Sequence, residues 1–73
     1  MYHREYPITP SQAAINGALS LYVEGGKNAD MRQQLFGLSV LRHATEEQIQ
    51  AAMPFVEVSQ GMSAVEIHVM LAS

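Results

Sequence analysis

Three short patterns that start helices most constrain how this chain folds. In each, a hydroxyl residue is followed three positions later by Glu or Gln, whose side chain can return a hydrogen bond to the capping residue. The three pairs are Thr9 with Gln12, Thr45 with Gln48, and Ser63 with Glu66. Three helix starts within 73 residues predict an all-α fold, a small bundle of three to four short helices. We expect residues 9–73 to form this single helical domain and residues 1–8 to precede it as an extended arm.

The first helix is predicted over residues 10–24. Pro10 suits the first helical position, and Gly25-Gly26 are typical of a helix end because glycine readily adopts the left-handed conformation. Asn16-Gly17 is the weak point of this prediction, since the dipeptide favours turns. A hairpin at that point, followed by a strand over residues 18–23, is the alternative.

A second helix is predicted to begin after Asn28, with Asp30 in its first turn, and to reach Arg42. Its apolar residues fall on two faces at 100° per residue. One face carries Met31, Leu35, Leu38 and Leu41, and the other carries Phe36 and Val40. Either both faces pack inside a tight bundle, or one of them meets a second chain.

The region after Thr45 admits two interpretations. Pro54 is expected to interrupt the third helix, because proline lacks an amide proton and disfavours helical geometry in the residue before it. The Ser63 pattern then predicts a last helix over residues 64–72. Alternating apolar residues are instead typical of a strand, and here they are Val65, Ile67, Val69 and Leu71. We favour the helix and keep an α+β fold with a β-hairpin over residues 55–71 as the alternative.

The chain has more apolar residues than one small domain can easily bury. Hydrophobic residues make up 48% and charged residues 15% of it, whereas charged residues usually make up about 25%. A domain of this size buries only ~60% of the surface that its unfolded chain exposes. There is no Cys, so disulfides cannot add stability. We therefore expect a homo-oligomer, a partner of another protein, or both.

Six residues are the candidate contacts with a partner. The first predicted helix is apolar around most of its circumference, and the second has the two apolar faces described above. The N-terminal arm contains tyrosines, which are common at binding hot spots. The predicted partner-binding residues are Tyr2, Tyr6, Leu21, Val23, Phe36 and Val40.

Nothing in the sequence predicts export or membrane insertion. The chain opens without a charged and then apolar leader, and no run approaches the ~18 apolar residues that a membrane span requires. The absence of Cys suits a reducing compartment. We expect a cytoplasmic protein that makes no membrane contact.

Catalysis and metal binding have no motif here. His3, His43 and His68 lack the short helical spacing of metal ligands. Glu46 and Glu47 are adjacent, so on a helix they diverge by ~100° and suit the positive end of the helix dipole instead. The sequence therefore predicts a protein that is not an enzyme, with no cofactor and no metal.

Binding to nucleic acid is disfavoured by charge. Four basic residues stand against seven acidic ones, and no Lys or Arg follows Arg42. Phosphate contacts require such cations. The rhythm of the region after Thr45 resembles a helix-turn-helix, although Pro54 and a long interval between its two elements argue against that motif. A dimeric helix-turn-helix transcription factor is the alternative function.

The small size, the composition and the lack of catalytic or zinc motifs resemble the small regulatory proteins that bacteriophages and prophages encode, of the antirepressor type. That resemblance implies a non-enzymatic regulator that self-associates and inhibits or redirects a larger regulatory protein. It rests on length and composition and identifies no site residue. A structural subunit of a larger assembly is a third interpretation.

Overall fold

The computed structural model describes residues 9–72, which fold into four helices. They are α1 (Gln12–Lys27), α2 (Met31–Leu41), α3 (Glu46–Gln60) and α4 (Ala64–Ala72). The described residues contain no strand, which confirms the all-α prediction. The alternative hairpin over residues 55–71 is wrong, because that stretch forms the end of α3, the turn after it and α4 up to its last residue but one. The predicted arm over residues 1–8 lies outside the described part.

Two of the three capping patterns form as predicted. The Thr45 hydroxyl accepts the Gln48 N–H at 3.1 Å, and the Gln48 amide oxygen accepts the Thr45 N–H at 3.0 Å. Ser63 and Glu66 make the same reciprocal pair. The backbone and hydroxyl hydrogen bonds from Ser63 hold the pKa of the Glu66 carboxyl below its ordinary value. Neighbouring residues therefore set where α3 and α4 begin, and at α4 the Glu57 carboxylate also accepts the Ala64 N–H at 2.7 Å.

The third pattern fails, and Ser11 rather than Thr9 caps α1. The Ser11 hydroxyl accepts the Ala14 N–H at 3.2 Å. The Gln12 amide is used elsewhere, because it donates to the backbone carbonyl of Gln48 at 2.8 Å. The Gln48 amide in turn donates to the carbonyl of Pro10 at 2.8 Å. The Gln12 side chain is therefore turned towards α3 and not back towards the Thr9 N–H.

Helix α1 runs through Asn16-Gly17 as predicted, so the alternative hairpin there is wrong, and it continues past the end predicted at Gly25-Gly26. Burial of the neighbouring apolar residues holds Gly17 within the helix. At Gly25 the reason is packing, since a Cβ there would lie 2.8 Å from the backbone nitrogen of Gln34. This glycine lets the start of α2 cross close to α1, and the helix ends beyond it at Lys27.

Helix α3 runs through Pro54 to Gln60 without the predicted interruption. A proline at this position leaves the Gln50 carbonyl without its helical partner. Pro54 and Gln50 are both exposed, so water can satisfy that carbonyl. The left-handed Gly61, with φ 66°, ends the helix instead.

Helix α1 is central and packs against each of the other three helices. The buried apolar core consists of Ile15, Ala18, Leu19, Tyr22, Val23, Leu41, Ala52, Met53, Val56 and Ile67. Half of these residues belong to α1. The Tyr22 hydroxyl also donates to the carbonyl of Met70 at 2.7 Å, which fastens α4 to the same helix. The domain is elongated, with principal extents of 47 × 24 × 19 Å.

The turn between α1 and α2 contains a left-handed alanine, Ala29, with φ 56°. A Cβ in this conformation costs roughly 1 kcal/mol, and glycine avoids that cost. We expect Ala29→Gly to raise the free energy of unfolding by up to about 1 kcal/mol, measured by urea denaturation. Ala13→Gly, at an exposed helical site, should lower it by about the same amount. A loss of stability in both variants would contradict the strain at Ala29.

Candidate functional site

The most prominent surface feature of the described residues is a set of large apolar side chains exposed on α2, α3 and α4. They are Met31, Leu35, Phe36, Leu38, Phe55, Val58, Val65 and Val69. Single exposed apolar residues are ordinary on monomeric proteins, whereas groups of them along a helix mark sites of contact. Such groups lie on α2, on α3 and, as the pair Val65 and Val69, on α4; we take those on α2 and α3, which include the exposed aromatic residues, as the candidate site.

The α2 stripe consists of Met31, Leu35 and Leu38, which are 71%, 59% and 40% exposed. Their spacing of four and then three residues places them in one row along the helix, as in the seam of a coiled coil. The stripe is exposed because α2 turns a different side towards α1. Gly37 and Leu41 are its buried residues.

Gly37 determines which side of α2 meets α1. A Cβ on Gly37 would lie 2.6 Å from the carbonyl oxygen of Ala18 and 3.0 Å from the backbone nitrogen of Tyr22. The absence of a side chain thus lets the two helix backbones approach closely. Gln33 strengthens the same contact by donating to the carbonyl of Leu21 at 3.2 Å. The larger apolar residues of α2 are consequently left outside.

A groove of about 370 Å³ runs beside the α2 stripe. Its other walls are formed by Tyr22 and Gly26 of α1, Gln34 of α2 and Met70 of α4. On the far side of Leu35 and Leu38 lies a second depression of about 310 Å³, which Ser39 and Arg42 complete. Both depressions are open, so the stripe stands as a ridge between them that a helix or an extended segment can contact along its length.

The outer face of α3, formed by Phe55 and Val58, is the second candidate surface. These side chains are 51% and 86% exposed, and they lie three residues apart on the side away from the buried Ala52 and Val56. The segment that forms α3 and α4 is acidic, because residues 43–72 contain four Glu and no Lys or Arg; the one cation at the end of α3 in the described part is Lys27 of α1, which donates to the Gln60 carbonyl at 2.7 Å. This surface combines apolar contact area with negative charge.

The predicted contact residues are dispersed by the fold. Phe36 is 63% exposed on α2, beside the stripe. Val40 and Leu21 are half-buried, and Val40 packs against the core. Val23 is fully buried, so its side chain serves the core and offers no contact surface. Tyr2 and Tyr6 lie outside the described residues.

The link between α3 and α4 corrects one argument from the sequence. The sequence indicated a long interval between the two elements, but only residues 61–63 separate the helices. Three residues with a glycine form the usual length of turn in a helix-turn-helix. The exposed residues of α4 include Val65, Glu66 and His68, none of which is a fixed cation. The geometry therefore admits the motif while its charge opposes phosphate contacts.

Among residues 9–72, no three potential metal-ligating side chains come together. No helix in this part of the chain has both the length and the apolar character needed to cross a membrane. No family model, curated protein or solved structure matches the chain. The candidate site is therefore defined by its own geometry, the α2 stripe and the outer face of α3.

Proposed function

We propose that this protein is a small non-enzymatic regulator that self-associates and inhibits or redirects a larger regulatory protein. The observation that supports this proposal is the exposure of large apolar side chains in rows on two separate helices. Contact with another protein is the usual use of such surfaces, because it removes the apolar area from water. The two surfaces differ in charge, which suits them to different occupants.

The outer face of α3 suits a basic partner. Glu46, Glu47 and Glu57 belong to α3, and Glu66 lies on α4. A symmetric pairing of this face with itself would bring carboxylates together, which is unfavourable. A different protein with cationic residues around an apolar pocket would meet both the charge and the apolar side chains. DNA-binding regulators carry such basic surfaces, which supports the proposal of an antirepressor-like action on such a regulator in the cytoplasm.

A helix-turn-helix protein is the second candidate function, favoured by the short turn over residues 61–63. In that case the phosphate contacts would have to come from Lys27 of α1 and from Arg32 and Arg42 of α2, because α3 and α4 contain no Lys or Arg. Binding of the free protein to random DNA at low salt, with a steep loss as salt rises, would favour this function. No retardation of DNA would favour the protein-binding function.

The main proposal is tested by capture from a cell lysate. The proteins that the immobilised chain retains are compared with those that the double variant Phe55→Gln/Val58→Gln retains. Both changes replace exposed side chains with glutamine, which is a good helix former, so the fold should persist. We expect the retained amount of one protein to fall by about tenfold or more with the double variant, because apolar residues at the centre of an interface contribute most of its binding energy. Quantitative mass spectrometry of the eluates measures the loss.

Gln50→Ser is the matched control, because Gln50 is exposed on the same helix but lies on another flank. It should retain the same protein as the unmodified chain. Retention should also weaken with added salt, since the predicted partner is basic. If no protein distinguishes the double variant from the control, the outer face of α3 is not a binding surface and the proposal fails there.

A further inference from the structure

We infer that the α2 stripe is the contact between two copies of this chain, with the α2 helices antiparallel about a two-fold axis. This inference deepens the self-association part of the proposed function and rests on it. The stripe is suited to such pairing because its spacing of Met31, Leu35 and Leu38 is that of a coiled-coil seam. In the antiparallel arrangement Met31 of one copy lies against Leu38 of the other, and the two Leu35 side chains meet near the axis.

The charges at the ends of α2 select the antiparallel direction. Asp30 caps the N-terminus, where its Oδ1 accepts the Gln33 N–H at 3.1 Å. Arg42 follows the last residue of the helix and lines the depression beside Leu35 and Leu38. Antiparallel pairing brings Arg42 of each copy towards Asp30 of the other, twice in one dimer. Parallel pairing would instead set Arg42 against Arg42.

Other features of the surface fit the same occupant. Antiparallel neighbours also align their helix dipoles favourably. Helix α2 packs against α1 and makes no comparable contact with α3 or α4 within residues 9–72, so a second copy can approach it from the free side. Two α1–α2 pairs joined along their α2 helices would form a four-helix arrangement of the common kind. The contact area of two such short helices is small, which predicts dissociation in the micromolar range.

Sedimentation equilibrium of the whole chain from about 1 to about 500 µM tests the inference. We expect the mass to rise from 8.0 kDa to twice that value and to level off there, because a two-fold contact closes on itself. Leu35→Gln should weaken the association by more than about tenfold, since both copies place the change at the axis. Circular dichroism should show that each variant is folded, because the substituted positions are exposed.

Two charge changes, one reversal and one neutralisation, test the direction in which the two α2 helices pair. Arg42→Glu should weaken the dimer about tenfold, because it turns two attractions into two repulsions. Adding Asp30→Asn should recover about half of that loss in free energy, because Asn still caps the helix and removes the repulsion without restoring the attraction. Within one copy the two residues lie about 18 Å apart along the helix, so this coupling can arise only between copies. Arg32→Glu, the same charge change near the N-terminal end of α2, should weaken the dimer less than Arg42→Glu, because in the antiparallel pair Arg32 faces the C-terminal end of the other α2 and not its Asp30.

The outcomes separate this inference from the proposed function. A dimer that survives Leu35→Gln but is lost with Phe55→Gln/Val58→Gln would show self-association through α3 and overturn the inference. A chain that stays at 8.0 kDa throughout would overturn it as well, while capture of a larger protein through α3 would still stand. Loss of the dimer with Arg42→Glu and no recovery with Asp30→Asn would contradict the antiparallel contact.

Discussion

Leu19→Ala is expected to lower the free energy of unfolding by about 3–5 kcal/mol, the cost of removing a large buried side chain and leaving a cavity. Leu19 is fully buried, and it lies in the middle of α1, the helix that contacts all the others. A domain of this size has little stability to spare. The variant should therefore be largely unfolded at 37 °C, which thermal denaturation followed by circular dichroism measures.

The matched control for Leu19→Ala is Leu35→Ala, which makes the same chemical change on the exposed α2 stripe. At protein concentrations too low for association, it should alter the free energy of unfolding by less than about 0.5 kcal/mol. The contrast separates the core from the surface without any change in the residue types involved. Equal losses in the two variants would mean that the stripe is part of the core and that the arrangement of α2 on α1 is wrong.

Gly37→Ala is expected to lower the free energy of unfolding by about 1–3 kcal/mol, although alanine is the better helix former. The new methyl group would meet the carbonyl oxygen of Ala18 at 2.6 Å and the backbone nitrogen of Tyr22 at 3.0 Å. Backbone atoms within a helix cannot move aside as the end of a flexible side chain can. Helix α2 would have to shift away from α1, and urea denaturation would report the loss.

Gly17→Ala, the same substitution in α1, should have the opposite effect on stability from Gly37→Ala. Gly17 lies within α1, and a Cβ there would meet nothing within 4 Å. The change should raise the free energy of unfolding by about 0.5–1 kcal/mol, the usual gain from replacing glycine in a helix. If both variants were stabilised, α1 and α2 would not approach as closely as described, and the exposure of the α2 stripe would lose its cause.

The parts of the fold that could be predicted are those decided by neighbouring residues. Thr45 with Gln48 and Ser63 with Glu66 lie within one turn of helix, so their hydrogen bonds need no other part of the chain. The start of α1 differed because Gln12 bonds to Gln48, thirty-six residues away. Pro54 likewise misled the prediction, since whether a helix continues through proline depends on which side of it faces water.

The candidate site was harder to predict than the fold. The sequence shows that α2 has apolar residues on two faces, but their number alone does not decide which face is buried. The deciding residue is Gly37, which contributes no apolar side chain and permits the closest approach to α1. Hydrophobic periodicity gives such a residue no weight. This is why Leu35 and Leu38 were not among the predicted contacts and why Val23, counted among them, lies in the core.

The groove beside α2 depends on the attachment of α4 to α1. Met70 supplies the carbonyl that Tyr22 holds, and its side chain forms one wall of the groove. A short helix that buries a single residue, as α4 buries Ile67, is commonly among the first parts of a domain to open locally. Whenever α4 lifts away, the groove loses that wall, and anything seated against Met70 would hold the helix down. Binding in the groove and the ordering of α4 are therefore thermodynamically coupled, so each favours the other.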